Sequence, residues 1–283
     1  MSVNESVLWG GLSYGHKFNK WMSIGITAFG IYQQIQDTYY YGNTFGAASD
    51  IEYFADHNAS NIASAFLVGN SHFLGKGWRL GFTCLLPSIH IYGKGDSITK
   101  SILVNGKSEP DISNEVYHRW PSNYAVPARF GMGMAHQPNS RWTLAFDAKY
   151  YLKVRYKIVN TPTSPEKERD PVFNFNTGYE YLGNGKFPLR FGLYTSLSPA
   201  KKVIPNEITT EDHINIFGAT VSLGYSTEHS TEHTTTNLGL VGAYGTGQTA
   251  AARGIDINGV PFSRVGQATT QIFGVILSST YRF

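Results

Sequence analysis

The chain has 283 residues, of which 15% are charged and 14% are aromatic, and its formal net charge is +3. The charged fraction is well below the ~25% of soluble domains, no run of ~18 apolar residues offers a transmembrane helix, and the small, dispersed positive charge argues against a nucleic-acid partner. The single cysteine, Cys84, excludes an internal disulfide and a cysteine-based zinc cluster. Residence in a membrane would therefore require a β-barrel.

Segments with the alternation of β-strands follow one another along the chain. The first two, 6–16 and 21–36, are joined by a short turn, and a long polar segment covers 37–60. The other predicted strands are 61–73, 78–92, 124–136, 141–156, 172–182, 187–198, 212–226, 232–246 and 268–283, which makes eleven in all. Pro87 cannot donate to a sheet and predicts a bulge, while 93–123 is the longest irregular stretch, with a small hairpin predicted around Asn105-Gly106.

The segment 141–156 shows the alternation most clearly. Its even positions, from Trp142 to Tyr156, are apolar or aromatic, and its odd positions carry most of the charges. Side chains of a strand point to opposite faces with period two, so one face is apolar along its whole length. In a soluble sandwich that face would meet a core, whereas in a membrane barrel it would meet lipid and the charged face would line a wet lumen. By itself the segment leaves both possibilities open.

The connections between predicted strands alternate strictly between short turns and long loops. Outer-membrane barrels have this layout, with the short turns on the periplasmic side. Several short turns are followed at once by an aromatic residue, and the amphipathic rings of such residues favour the headgroup layer. Together with the end of the last strand, they predict an interfacial girdle of Trp21, Trp78, Trp142, Phe187, Tyr281 and Phe283.

The last predicted strand ends in Phe283, with Tyr281 two residues before it. This ending resembles the terminal signal by which bacterial outer-membrane barrels are recognised, so we expect the assembly machinery to be a partner. Bacterial single-chain barrels have even strand numbers. Eleven strands, and an N-terminus without the basic and apolar regions of a secretory signal, lead us to expect a chain that lacks its N-terminal portion.

Charged residues recur on the face opposite the apolar rows. We interpret them as side chains that pair and hydrate one another in a lumen rather than as a catalytic set, and we predict that the protein is not an enzyme. The predicted lumen-facing charged residues are Arg129, Asp147, Lys149, Lys153, Arg155, Glu180 and Arg190.

Three polar motifs could indicate a metal site, a catalytic site or a phosphate-binding loop, but the sequence favours none of the three. The repeat STEHSTEH, residues 226–233, could hold a metal, but it lies at a predicted turn, where polar repeats are ordinary. Ser88 and His90 share a strand face, as in a serine esterase, but no third partner is identified. The run Gly93-Lys94-Gly95-Asp96 lacks the spacing and the helix of a phosphate loop. We predict no metal, no cofactor and no catalytic residue.

Several segments resemble the FadL-type family of outer-membrane transporters for long-chain fatty acids and aromatic hydrocarbons. VPARFGMGMAHQPNSRWTLAFDAKYY looks like the family's succession of Pro, Gly, turn, Trp-Thr and Asp. FNTGYEYLGNGKFPLRFGLYTSLSP and DHINIFGATVSLGYS resemble the strands that follow it. The motifs cover residues 124–226, and the rest of the chain matches by layout.

The resemblance implies an all-β fold, a transmembrane antiparallel β-barrel of outer-membrane type, with about eleven strands present out of about fourteen. It implies a single barrel domain over residues 1–283 without the family's N-terminal hatch and first strands, located among the lipids of a Gram-negative outer membrane. The implied function is passage of a hydrophobic small molecule, captured by outer loops and released sideways through a wall opening, and no ligand-binding residue carries over. A general diffusion porin or a structural or adhesion barrel stays an alternative, whereas a soluble lipid-binding barrel would expose its apolar rows to water.

Overall fold

A computed structural model describes residues 2–44, 49–105, 111–162, 164, 166–183, 186–205, 211–229, 232–255 and 261–282. Over these ranges the chain is all-β, with fifteen strands and no helix. Within the same ranges, no helix has the length and apolar character needed to cross a membrane.

The fifteen strands are numbered in chain order. They are β1 (Ser2–Lys17), β2 (Met22–Thr44), β3 (Ser49–Gly75), β4 (Trp78–Leu85), β5 (Ile89–Asn105), β6 (Asp111–Pro121), β7 (Arg129–Asn139), β8 (Trp142–Tyr151), β9 (Val154–Lys157), β10 (Glu166–Arg169), β11 (Val172–Leu182), β12 (Pro188–Ser196), β13 (His213–His229), β14 (Glu232–Ile255) and β15 (Pro261–Arg282).

Eleven of these strands form one continuous antiparallel sheet, which we call the wall. Its hydrogen-bonding order is β1-β2-β3-β4-β7-β8-β11-β12-β13-β14-β15, and each member corresponds to one of the eleven predicted strands. The predicted number of wall strands is therefore confirmed. β2 also contacts β14, although the two lie near opposite ends of this order, so the wall curves back on itself.

The two faces of the wall differ as the alternation predicted. On β7, the side chains of Phe130, Met132 and Met134 are exposed, while the intervening positions are more covered. Met132 lies opposite Ala148 on β8, and Met134 lies opposite Phe146, so the apolar positions of neighbouring strands share one face. Because side chains alternate with period two, this register leaves a continuous exposed apolar surface on the outside of the wall.

The connections between wall strands differ at the two ends of the wall. At one end, which we call the short-turn end, β3 returns into β4 through Gly75-Lys76-Gly77, where all three residues have positive φ, at 84°, 48° and 80°. Such tight reversals favour glycine because it lacks a Cβ. At the opposite end, which we call the long-loop end, the wall strands are connected by longer segments, namely the described residues of 86–128, 152–171 and 197–212.

The predicted polar segment 37–60 is a pair of strand extensions rather than a loop. β2 continues to Thr44 and β3 begins at Ser49, with Ile35 opposite Ala59. The interior-facing Ile35, Asp37 and Tyr39 are buried, whereas the alternate positions of β2 are mostly exposed and polar. The hydrophobic alternation fades beyond the apolar band because the outer face becomes polar, although the backbone pairing continues.

The predicted strand 78–92 is broken rather than bulged at Pro87. β4 ends at Leu85, and β5 begins at Ile89 and pairs with β3 and β6 instead of continuing along β7. β5 and β6 form an antiparallel hairpin where 93–123 was predicted to be mostly irregular, and this agrees with the small hairpin predicted around Asn105-Gly106. Residues 106–110 lie outside the described residues. A proline removes a ladder donor, which is enough to end a strand where a new partner is available.

The predicted strand 141–156 is also shorter than expected. β8 ends at Tyr151, and residues 154–157 form β9, which pairs with β10 as a separate hairpin. Tyr156 was expected at the lipid-facing end of the apolar row, but it is 8% exposed and lies within the protein. The hydrophobic alternation of the sequence continues from β8 into β9, although β8 belongs to the wall and β9 to a separate hairpin. The alternation therefore did not reveal the break between the two strands.

Candidate functional site

The β9–β10 hairpin, together with its tip, lies inside the curved wall. Ile158 and Val159 at the tip are fully buried and pack on Ile35 of β2 and Ala59 of β3. The hairpin leaves the wall at β8, which is separated from β2 by three strands in the hydrogen-bonding order. This packing therefore places the hairpin across the interior, and we call the described residues of 154–169 the inner hairpin.

The tip of the inner hairpin is also fixed on its other side, by the β5–β6 hairpin. Val159 forms a β-bridge with Ser122, and the amide of Asn160 donates to the carbonyl oxygen of Pro121 at 2.8 Å. The indole of Trp120 donates to the carbonyl oxygen of Asn160 at 2.7 Å. Gly95 permits this approach, because a Cβ there would lie 2.8 Å from a methyl group of Val159.

A buried cation joins the inner hairpin to the wall. The Nζ of Lys167 lies 2.8 Å from a carboxylate oxygen of Asp37 on β2 and 2.8 Å from one of Glu211, which precedes β13. The side chain of Asp37 is fully buried and that of Lys167 is 6% exposed. Burial alone would lower the pKa of Lys167, but the carboxylates of Glu211 and Asp37 outweigh it and raise that pKa. The amine is therefore charged at neutral pH.

The same cluster continues through Glu211 and Arg169. The guanidinium of Arg169 pairs with Glu211, so this carboxylate is shared by two cations. Burial would raise the pKa of Glu211, but Lys167 and Arg169 reverse the effect and lower it. Asp37 also accepts a hydrogen bond from the hydroxyl of Tyr39 at 2.7 Å. Each charge in this buried cluster thus has an opposite partner, which compensates its desolvation.

A second chain of polar groups crosses the interior face of the wall. Gln33 donates from its amide to Glu5 at 2.7 Å and accepts from the amide of Asn61 at 2.9 Å. Asn61 in turn accepts from the hydroxyl of Ser122 at 2.8 Å. The chain fixes β1, β2, β3 and the end of β6 relative to one another, and it leaves the Glu5 carboxylate at its open end.

Between the inner hairpin and the surrounding loops lies a cavity of about 360 Å³. Its apolar walls come from the connections at the long-loop end and from the strands beside them, and include Val126, Pro127, Leu152, Val154, Val172 and Leu197. Its polar groups gather from β1, the loop before β7, the inner hairpin and β11, and include Glu5, Tyr124, Tyr156, Arg169, Asp170 and Asn174. Ligand pockets commonly have volumes of ~300 to 1,000 Å³ with mostly apolar walls and a few convergent polar groups.

None of these cavity residues was predicted from the sequence. Residues 166–170, EKERD, lie between the predicted strands 141–156 and 172–182, and nothing in the sequence indicates that Lys167 is buried. Tyr156 was assigned to the lipid face, and Glu5 lay outside the predicted strands. A dense run of alternating charges beside buried aliphatic residues is the one signal that could have suggested an inward hairpin.

The predicted charged residues are only partly brought together. Glu180 and Arg190 form an ion pair between neighbouring strands, with Nε and Oε2 2.5 Å apart. Asp147 and Lys149 lie opposite Gly133 and Gly131 on the interior face, and the guanidinium of Arg129 lies 5.7 Å from the ring centre of Tyr151. Their role as lumen charges stays a prediction.

Lys153 and Arg155 occupy a different place from the other predicted charges. Both lie on the segment that follows β8 and both pair with Glu168 of β10, as Lys201 does. Hydrogen bonds from Lys153, Lys201 and Arg155 hold the pKa of Glu168 at about 2. The cluster joins the base of the inner hairpin to the loop after β12.

The predicted girdle residues that the structure describes lie together at the short-turn end. Trp21 stacks on Phe73 with ring centres 5.9 Å apart, and Trp78 stacks on His136 at 4.0 Å. His136 also meets Trp142 edge to face, and Phe187 meets Tyr225 at 5.3 Å. Phe283 and the side chain of Tyr281 lie outside the described residues, and the interfacial role of the whole set stays a prediction.

Residues of the other polar motifs form hydrogen bonds and packing contacts within the fold. The hydroxyl of Ser88 accepts from the amide of Val126 at 2.7 Å, which joins the break after β4 to the loop before β7. Gly93 lies against Asn61 and Ser122, and Asp96 accepts from the amide of Arg119. Among described residues, no group of acidic, histidine or cysteine side chains is arranged to hold a metal. The side chains of 227–233 in STEHSTEH lie outside the described set.

No protein-family model matches the sequence, and no curated protein matches it. Solved structures do match. The crystal structure of a Pseudomonas aeruginosa FadL homologue matches with a TM-score of 0.67 and 14% identity, over 99% of this chain and 67% of that chain. The chain has the FadL fold. The P. putida toluene transporter TodX gives a TM-score of 0.62 at 15% identity, over 98% of this chain and 70% of that one. The CymD monoaromatic hydrocarbon channel gives 0.58 at 13% identity, over 99% and 73%.

The FadL fold confirms the predicted fold class, an antiparallel β-barrel of outer-membrane type, and agrees with the family resemblance drawn from the sequence motifs. The chain spans between 67% and 73% of the length of these three structures. At such low sequence identity the match shows that the backbones follow the same path, and it does not extend to individual side chains. The cavity and the inner hairpin are therefore argued from the contacts of this chain's own residues.

Proposed function

We propose that the protein carries hydrophobic small molecules, long-chain fatty acids or aromatic hydrocarbons, across the outer membrane of a Gram-negative bacterium. The observation that carries the proposal is the filled interior, in which the inner hairpin leaves a cavity of about 360 Å³ lined by both apolar and polar side chains. A general diffusion porin needs a water-filled channel. Packing of Ile158 and Val159 across the interior opposes that alternative.

The exposed face of the wall supports residence in lipid. Large apolar side chains are exposed on strands from β1 to β15, and a row of that extent in water would favour aggregation. We propose that this face contacts outer-membrane lipids, that the aromatic side chains at the short-turn end lie at the interface, and that the last strand is recognised by the assembly machinery. The barrel acts as one domain.

The names of two structural neighbours support the same class of substrate. TodX is a toluene transporter and CymD is a monoaromatic hydrocarbon channel. We extend their substrate class to this chain as part of the proposal. Passage through a barrel breaks and forms no covalent bond, so the proposed protein is not an enzyme.

Uptake and conductance together test the proposal. Cells that carry the protein should accumulate radiolabelled toluene or a radiolabelled long-chain fatty acid faster than cells that lack it. The same protein in a planar bilayer should show little steady ion conductance. Large, salt-dependent conductance without uptake of either compound would replace the proposal with a diffusion porin.

A further inference from the structure

The cavity has a polar end built from two tyrosines and one carboxylate. Tyr124 and Tyr156 meet edge to face with ring centres 5.9 Å apart, and both line the cavity with Glu5. Neither hydroxyl is hydrogen-bonded to another of the described residues. One oxygen of Glu5 accepts from Gln33, which orients the carboxylate. The cavity thus offers two hydroxyl groups and a fixed acceptor to a ligand.

Burial and charge keep both tyrosines protonated. Burial, followed by the nearby carboxylate of Glu5, raises the pKa of Tyr124 and that of Tyr156. A neutral phenol side chain both donates and accepts a hydrogen bond, so it suits a neutral polar group on a ligand. Tyr156 is 8% exposed, which leaves its hydroxyl few competing partners outside the cavity.

The charges around the cavity disfavour an anionic ligand. Two carboxylates line it, those of Glu5 and Asp170, against one guanidinium, that of Arg169. Arg169 is already paired with Glu211, and Asp170 is paired with Lys153, which leaves Glu5 as the cavity carboxylate without a cationic partner among the described residues. A ligand carboxylate would therefore meet the charge of Glu5 without a free cation to compensate the loss of its hydration.

The size of the cavity suits a single aromatic ring with small substituents. A protein cavity of ~150 Å³ is enough to bind benzene, and this one is about 360 Å³. The walls around its polar end are aliphatic and aromatic, and the edge-to-face tyrosine pair is a surface on which another ring can pack.

We propose that this cavity is a binding site for a neutral aromatic alcohol, a phenol, whose ring packs among the apolar walls and whose hydroxyl bonds to Glu5 and the two tyrosine hydroxyls. This inference rests on the proposed function, because it names the ligand class of the same interior. The phenol hydroxyl donates a hydrogen bond to the Glu5 carboxylate and accepts hydrogen bonds from Tyr124 and Tyr156. The site therefore selects for a hydrogen-bonding tip and against a negative charge.

Three ligands of similar shape separate these contributions. Binding of toluene, 4-methylphenol and 4-methylbenzoate to the purified 283-residue protein in detergent would be measured by titration calorimetry at pH 7. One added hydrogen bond to a charged acceptor should make 4-methylphenol bind roughly 10-fold more tightly than toluene. 4-Methylbenzoate should bind more weakly than toluene. A preference for 4-methylbenzoate, or equal affinity for toluene and 4-methylphenol, overturns the proposal.

Conservative variants locate the effect in this cavity. Tyr156→Phe and Tyr124→Phe should each lower the affinity for 4-methylphenol roughly 3-fold and leave toluene unchanged. Glu5→Gln should lower the affinity for 4-methylphenol and raise the affinity for 4-methylbenzoate. Tyr32→Phe, on the exposed face of β2, is the matched control and should change neither affinity. Unchanged 4-methylphenol affinity in all three cavity variants overturns the proposal, and because the ligand series uses the unaltered protein, a variant that fails to fold does not weaken the test.

Failure of this inference is distinguishable from failure of the proposed function. Uptake of toluene by cells, with no preference for 4-methylphenol in binding, rejects the phenol site and leaves the transport proposal standing. Absence of uptake for every hydrophobic compound rejects the transport proposal itself. Preference for 4-methylphenol that Tyr156→Phe reduces supports the site directly.

Discussion

The two halves of the interior are built from different residues although they share the same strands. Towards the short-turn end, interior positions of β7 and β8 include small residues such as Gly133, Ala135 and Ala145. Towards the long-loop end, the interior is filled by the inner hairpin and by buried polar groups that bond to one another. The wall runs through both halves, and we propose that the filled half supplies the selectivity.

Removing the buried cation should disturb the filled half most. Lys167→Met leaves the carboxylate of Asp37 buried without its partner, and loss of one member of a buried pair costs about 3 to 5 kcal/mol. The inner hairpin should leave the interior, and single-channel recordings should show a stable conductance that the unaltered protein lacks. Lys202→Met, at an exposed position, is the control. Identical recordings for both variants would show that the ion pair does not hold the hairpin.

Truncation of the apolar tip should have the next largest effect. Ile158 is fully buried, and replacement of a buried isoleucine by alanine costs about 2 to 5 kcal/mol. Ile158→Ala should make the inner hairpin sensitive to trypsin added to intact cells, with cleavage near Lys157 and Lys167. Ile112→Ala, at a side chain that is 63% exposed on β6, should leave cleavage unchanged.

Crowding of the hairpin against β5 should have a moderate effect. A Cβ on Gly95 would lie 2.6 Å from the backbone oxygen of Asn58 as well as 2.8 Å from Val159. Overpacking of this kind costs about 1 to 3 kcal/mol. Gly95→Ala should raise trypsin cleavage of the inner hairpin less than Ile158→Ala does. Gly10→Ala, where a Cβ has nothing within 4 Å, should behave as the unaltered protein.

Acid should loosen the base of the inner hairpin, with the smallest effect. The pKa of Glu168 in the folded protein is about 2, below the ~4.3 expected for an unfolded chain. Its stabilising contribution is therefore complete above about pH 4.3 and is lost as the pH falls towards 2. Proteolysis by pepsin should increase over this range in the unaltered protein. The Glu168→Gln variant should show a smaller dependence on pH, and an equal dependence in both would contradict the assignment.

The sequence predicted the wall well and the filled half poorly. Wall strands such as β7 and β8 face two different environments, so their hydrophobic alternation reports their position directly. Inside the protein both faces of a segment such as the inner hairpin are covered, and polar residues that face the interior have partners there: Gln33 accepts from Asn61, and Asp37 accepts from Tyr39. Alternation then carries no information about direction, and for this reason Tyr156 was assigned to lipid.

Long-range pairing explains the remaining misses. The partner of Lys167 is Asp37, far away along the chain, and no local pattern connects them. The break at Pro87 was visible as a disturbance of the strand, but its outcome depends on whether β3 offers a pairing edge to β5. The tertiary fold decides which strands and side chains pair over such distances. A single sequence can show that a strand is interrupted, but it does not show which partner the next segment takes.

The most direct test of the filled interior is a disulfide between the end of the β5–β6 hairpin and the tip of the inner hairpin. Ser122 and Val159 form an antiparallel bridge, and such pairs have Cα atoms ~4.5 to 5.5 Å apart, within the range of a disulfide. In a Cys84→Ser background, Ser122→Cys combined with Val159→Cys should cross-link without added oxidant, giving a reducible shift in gel mobility. Modification of both thiols by a water-soluble maleimide, without cross-linking, would show that the hairpin lies outside the interior and would contradict the account.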